Sequence, residues 1–103
     1  DIGTIFSDKN KKYKNIRSTK LLERVVNLML SKNILINNID INIIAQKPKI
    51  NKFKKRMISL ISKICKIDEK EINIKGKTTE KLGIIGSEKA IASEVITSVI
   101  KYD

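Results

Sequence analysis

The residues of this chain best suited to chemistry lie in Gly76-Lys77-Thr78-Thr79-Glu80, which brings together two hydroxyls, an ammonium and a carboxylate. Hydroxyls and backbone amides bind phosphate oxygens. One carboxylate together with phosphates completes a magnesium site, because Mg²⁺ takes few protein ligands. The motif has little specificity by itself, since Thr-Thr-Glu before a glycine-containing loop is common. A second candidate closes the stretch NNIDINIIAQKPKIN, residues 37–51. There Pro48 fixes φ and removes a backbone donor, and the amides of Lys49 and Ile50 follow at once, so the turn could hold a phosphate or a base. Asp1 and Asp8 are loop carboxylates whose ordinary role is solvation, and Gly83 and Gly86 read as turn glycines rather than a phosphate cradle.

Composition removes several kinds of chemistry. The 103 residues contain no histidine, so the commonest general base and metal ligand is absent from this chain. The one cysteine, Cys65, allows no internal disulfide. It falls in an apolar helical stripe, where a thiol behaves as a small hydrophobe, and no histidine is present to activate it. The net charge of +11 invites a nucleic-acid reading. However, the three arginines are far outnumbered by lysines, and two Phe and two Tyr are the only aromatics, so bidentate base contacts and stacking platforms are scarce. Lys, Ile and Asn make up nearly half the chain, as an AT-rich genome would produce, which favours a solvated basic surface. No apolar run approaches a membrane span. The length suits one domain, 1–103, and the first residue, Asp1, is expected to follow a longer upstream segment.

The elements that must position these residues follow from periodicity. Residues 1–17 read as irregular. Ser18 is the expected N-cap of a helix with an apolar face of Leu21, Leu22, Val25, Val26, Leu28 and Met29, closed by Asn33 in the left-handed conformation. Ile39, Ile41, Ile43 and Ala45 alternate with Asp40, Asn42, Ile44 and Gln46, giving a strand over about 34–46 with a bulge or turn at Asn37-Asn38. A second helix, capped by Asn51, carries Phe53, Met57, Leu60, Ile61, Ile64 and Cys65. Lys52, Lys54, Lys55 and Arg56 oppose its dipole, either marking an anionic partner or, the favoured reading, as tolerated surface charge. Residues 72–76 form a short strand, 77–89 a loop, and the β-branched tail a final strand. A strand–helix–strand unit implies adjacent parallel strands, and ligands gather at the carboxyl ends of such strands. The turn after residue 45 and the loop after residue 76 should therefore lie side by side.

The ordered motifs Asp1-Ile2-Gly3, Phe6-x-Asp8, Ser18-x-x-Leu21-Leu22, Asn38-Ile39-Asp40-x-x-Ile43-Ile44-Ala45-Gln46-x-Pro48-Lys49, Lys75-x-x-Thr78-x-Glu80-x-Leu82-Gly83 and Ile91-Ala92 resemble the 2-C-methyl-D-erythritol 2,4-cyclodiphosphate synthase family. The resemblance covers the whole chain, and the segments 40–49 and 75–83 are its specific parts. It implies an α/β subunit with a mixed sheet and helices on one face, assembled as a homotrimer with active sites between subunits. By that resemblance, Ala45, Gln46, Lys47, Pro48, Lys49, Ile50 and Asn51 would enclose the cytosine of a cytidine diphosphate-linked small molecule. Asp1, Ile2 and Gly3 would hold the ribose from the adjacent subunit. Phe6, Ser7, Asp8, Lys9 and Asn10 would border the methylerythritol part. Lys77, Thr78, Thr79 and Glu80, with Ile84, would meet the phosphates and nearby substrate. Thr78 would stabilise the transition state and Glu80 would hold Mg²⁺ or Mn²⁺. The expected reaction is an intramolecular cyclisation that releases CMP in non-mevalonate isoprenoid synthesis, a phosphorus–oxygen lyase activity, with no nucleic-acid or membrane partner. Lys77 before Thr78 looks like the plant-type loop, which implies a plastid or apicoplast stroma.

This chain departs from the family pattern in two places. The family's Zn²⁺ is held by an Asp-x-His pair and a second His upstream of Asp-Ile-Gly, so the zinc ligands are expected before Asp1. After Gly86, where bacterial members carry Arg and, two residues on, Glu, this chain has Ser87 and Lys89. That alters the central trimer cavity implied to take isoprenoid diphosphates. Two rival readings follow: a basic nucleic-acid-binding α/β module, and a non-catalytic, trimer-forming remnant.

Overall fold

The computed structural model describes residues 17–103. Helix α1 (Ser18–Ser31) leads into the long strand β1 (Ile34–Ile44). A short 3₁₀ turn (Ile50–Lys52) and helix α2 (Lys54–Cys65) then cross to β2 (Ile72–Lys77). A single helical turn, α3 (Gly83–Gly86), precedes β3 (Ala92–Lys101). The sheet order is β2-β1-β3, with β1 parallel to β2 and antiparallel to β3. The expected mixed sheet with helices on one face is what forms.

The period-two alternation of β1 builds the core. Ile39, Ile41, Ile43 and Ala45 are buried with Ile72 and Ile74 of β2, and Val26 of α1 and Cys65 of α2 close over them. Both long helices therefore cover one face, and the other carries Asp40, Asn73 and Lys75, joined by a 3.3 Å hydrogen bond and a 3.5 Å ion pair. A one-residue slip would normally turn every apolar side chain outward. The bulge expected at Asn37-Asn38 prevents this. Register shifts between Ile36 and Asn38, so Ile36 packs on the same core as Ile39 despite the change in parity.

Helix ends differ in part from expectation. Asn33 is left-handed, φ 61°, and ends α1 as expected. Ser18 is not the N-cap: Arg17 caps with extended backbone and no side-chain bond, and Ser18 is the first helical residue. Asn51 is not a cap either, because it lies in the 3₁₀ turn and Phe53 precedes α2. Arg56 stacks 5.5 Å from the Phe53 ring centroid, so one cation of the basic first turn is satisfied within the chain. The stretch 77–89 is not all loop, since α3 forms within it.

Cys65 is buried, and burial pushes its thiol pKa above the ordinary value. A raised thiol pKa means that the folded state keeps its proton longer than the unfolded chain does. The stability from this group is whole below the unfolded pKa and is lost as pH rises through the folded one. Native protein should therefore react with iodoacetamide far more slowly than urea-unfolded protein. Equal alkylation rates would place the thiol at the surface.

Candidate active site

The carboxyl ends of β1 and β2 lie side by side, with Ile44 opposite Lys77 in the register. The Ala45 amide continues the ladder past the end of β1, donating to the Lys77 carbonyl at 2.9 Å. Between the two chain segments lies a cavity of about 320 Å³, near the lower end of the roughly 300–1,000 Å³ usual for small-molecule sites. Ala45, Gln46, Pro48, Lys49, Ile50 and Asn51 form one wall, Gly76, Lys77 and Thr78 the other, and Lys52 completes the lining. The juxtaposition expected from the strand–helix–strand unit is present.

Gly76, which opens the 76–80 motif, and Lys52, one of the cations before the second helix, had not been assigned to this wall. A Cβ on Gly76 would stand 2.9 Å from Ile50 Cβ, so the glycine lets β2 approach the turn closely. A glycine interrupting a strand pattern was the available signal. Lys47 points away from this cavity: its ammonium pairs with Glu88 at 3.7 Å and lines a second, more open cavity of about 940 Å³ with Phe53 and Lys81.

The loop after β2 is held in an unusual conformation. Glu80 and Lys81 are both left-handed, with φ 55° and 66°. For non-glycine residues this costs about 1–3 kcal/mol each and persists only where surrounding contacts impose it. The Thr79 hydroxyl donates to the Leu82 carbonyl at 2.7 Å, so its proton is committed to the loop itself. The Thr78 hydroxyl accepts from the Glu80 amide at 3.3 Å and keeps its proton for another acceptor. Glu80 is exposed and makes no ion pair among the described residues. Ile84, on α3, is 68% exposed and lines neither cavity.

No group of three or more metal-ligating side chains occurs among the described residues. They do not fit zinc, whose sites need three or four nitrogen, sulfur or carboxylate ligands. They do fit magnesium, for which a lone carboxylate such as Glu80 suffices once phosphates supply the remaining oxygens. The positions expected to hold ribose and the methylerythritol part, Asp1, Ile2, Gly3, Phe6, Ser7, Asp8, Lys9 and Asn10, lie outside the described residues.

A mixed sheet covered by helices on one face, with a cavity where its parallel strands end, defines an α/β protein with a strand-end site. The sequence pattern of the YgbB family matches residues 1–100, and the chain belongs to that family. It is 67% identical over 103 residues to the bifunctional enzyme IspD/IspF of Pelagibacter ubique (strain HTCC1062), covering 100% of this chain and 28% of the relative. It is 52% identical over 91 residues to the apicoplast 2-C-methyl-D-erythritol 2,4-cyclodiphosphate synthase of Plasmodium falciparum (isolate 3D7), covering 88% and 38%. Among solved structures, a Plasmodium falciparum IspF in a CDP complex superposes with a TM-score of 0.85 at 44% identity, covering 100% of this chain and 61% of that one. The bifunctional IspDF of Campylobacter jejuni gives 0.92 at 37%, covering 100% and 28%. The chain spans less than two thirds of each of these proteins. The plastid or apicoplast setting implied by Lys77-Thr78 has a counterpart in the Plasmodium relative. A bacterial protein is nevertheless 67% identical over the whole chain, so that location is not supported here.

Proposed function

We propose that this chain supplies much of the substrate site of a 2-C-methyl-D-erythritol 2,4-cyclodiphosphate synthase. The carrying observation is the cavity between residues 45–51 and 76–78, which sets a turn rich in backbone groups beside Thr78. The likeness to an IspF solved as a CDP complex supports a cytidine diphosphate-linked molecule as the ligand. The cytosine of 4-diphosphocytidyl-2-C-methyl-D-erythritol 2-phosphate lies against residues 45–51, and its phosphates run toward Lys77 and Thr78. The substrate's own 2-phosphate oxygen forms a bond to the β-phosphorus. The bond from that phosphorus to the bridging oxygen breaks, and CMP leaves with the electron pair.

Little covalent chemistry is asked of the protein, whose contribution is positioning and neutralisation of charge. The Lys77 ammonium offsets the phosphate charge. The Thr78 hydroxyl, whose proton is uncommitted, donates to an oxygen of the reacting phosphoryl group. Glu80 holds Mg²⁺ or Mn²⁺, which when bound draws charge from the phosphate oxygens. The zinc that the resemblance implies would be held by residues other than the described ones. Asp1 and Gly3 of a neighbouring subunit hold the ribose, and Phe6, Ser7, Asp8, Lys9 and Asn10 border the methylerythritol.

Assembly as a homotrimer completes each site. It is supported by β3, an edge strand with apolar residues exposed on both faces: Val95 54%, Ile96 72%, Val99 50% and Ile100 50%. An edge of that kind ordinarily has a partner. The test is CMP release from the diphosphocytidyl substrate by full-length protein supplied with Zn²⁺ and Mg²⁺, with mass measured by light scattering. Stoichiometric CMP and cyclodiphosphate from a trimer are expected. No CMP release at any protein concentration from a trimer of intact mass would leave the non-catalytic remnant in its place.

A further inference from the structure

Gln46 and the Glu80–Lys81 loop are far apart in sequence yet share one hydrogen bond. The Lys81 amide donates to Gln46 Oε1 at 3.0 Å. Gln46 is the first residue beyond the last ladder bond of β1 and lines the 320 Å³ cavity. Lys81 is the second of the two consecutive left-handed residues, and its predecessor is Glu80. One amide side chain therefore joins the turn that walls the cavity to the strained loop that carries the carboxylate.

A second contact restrains the same residue from the opposite direction. Gly86 is buried in α3, and a Cβ there would collide with the Lys81 carbonyl carbon and stand 2.7 Å from its oxygen. Those atoms are backbone and cannot swing aside. Lys81 is thus held between the Gln46 amide oxygen and the bare face of α3, and Thr79 fastens the loop's far end through Leu82. The left-handed pair has no glycine to make it inexpensive, so tertiary contacts must hold it.

We propose that Gln46 is a positioning residue: its side-chain oxygen holds Lys81, and through it Glu80, in the left-handed geometry that aims the Glu80 carboxylate at the metal–phosphate region. The amide group does this through its acceptor oxygen. A glutamate at the same position keeps that acceptor, whereas a methionine keeps the length and removes it. The same bond joins the two halves of the site. The inference rests on the proposed synthase activity for its kinetic arm and on the coordinates alone for its structural arm.

Two measurements on the full-length protein separate these arms. In the first, amide exchange at Lys81 is followed by NMR in wild type, Gln46→Met and Gln46→Glu. Protection is expected in wild type and Gln46→Glu, with exchange about tenfold faster or more in Gln46→Met, on the basis that a lost hydrogen bond is worth about that factor. In the second, CMP release is titrated with Mg²⁺. The half-saturating Mg²⁺ concentration should rise about tenfold in Gln46→Met and by less in Gln46→Glu, with melting temperatures alike in all three. Unchanged Lys81 protection in Gln46→Met overturns the strut, and unchanged Mg²⁺ dependence with lost protection overturns its role in placing Glu80. A wild type that releases no CMP but shows the exchange pattern overturns the synthase reading and leaves the strut standing.

Discussion

Replacing Glu80 by alanine is expected to lower CMP release by about 100-fold or more while leaving CMP affinity within about threefold, the scale seen when one electrostatic contact to a transition state is removed. The asymmetry follows from position. Glu80 is not among the residues lining the cavity between residues 45–51 and 76–78, so binding of the base should not register its loss. The carboxylate is exposed and unpaired in the described structure, so no internal ion pair collapses when it is removed. Alanine suffers much the same left-handed penalty as glutamate at φ 55°, so the substitution neither relieves nor adds backbone strain. What changes is the anion alone. Glu80→Gln, which keeps the shape and loses the charge, should therefore resemble Glu80→Ala. Isothermal titration with CMP in the absence of Mg²⁺ and a CMP-release assay on the same samples decide the matter: if affinity and turnover fall together, Glu80 binds the substrate rather than a metal.

The parts of this site that could be read from sequence are those written in local pattern. Alternation from Ile39 to Ala45 marked the buried face of β1, and the Asn37-Asn38 pair marked the bulge that keeps Ile36 on it. Parallel pairing of β1 with β2 followed from the helix between them, and with it the meeting of Ala45 and Lys77. Cys65 in an apolar stripe was readable as core. Features set by contacts between distant residues were not legible. Nothing around Glu80 or Lys81 announces a left-handed pair, because the contacts that impose it come from Gln46 and Gly86. Thr78 and Thr79 are alike in sequence, and only the bond from Thr79 to Leu82 separates a committed hydroxyl from a free one. Ser18 and Asn51 failed as caps for a related reason. Cap preference names suitable residue types, while the position where the backbone turns helical is fixed by how each helix meets the sheet.

The largest loss of stability is expected from Ile74→Ala. Ile74 is 1% exposed, the most completely enclosed large side chain among the described residues, and it lies opposite Ile41 in the β1–β2 ladder. Truncation removes apolar contact and leaves a cavity that β2, tied to β1 on one side and to α2 above, cannot close. The cost should be about 2–5 kcal/mol, a large share of the roughly 5–15 kcal/mol that holds a domain folded. Ile74→Val should cost about 0.5–1.5 kcal/mol, because most of the volume is retained. The next residue gives the contrast. Lys75 faces the open side of the sheet, its ion pair with Asp40 spans 3.5 Å, and both partners are nearly half exposed. Lys75→Ala should therefore change stability by less than about 1 kcal/mol. Urea unfolding of the three variants at one protein concentration reads these values directly, with concentration held fixed because association would shift every midpoint. A Lys75→Ala cost equal to that of Ile74→Ala would mean that β2 faces the other way. Such a reversal would also carry Gly76 out of contact with Ile50 and open the cavity between the two strand ends.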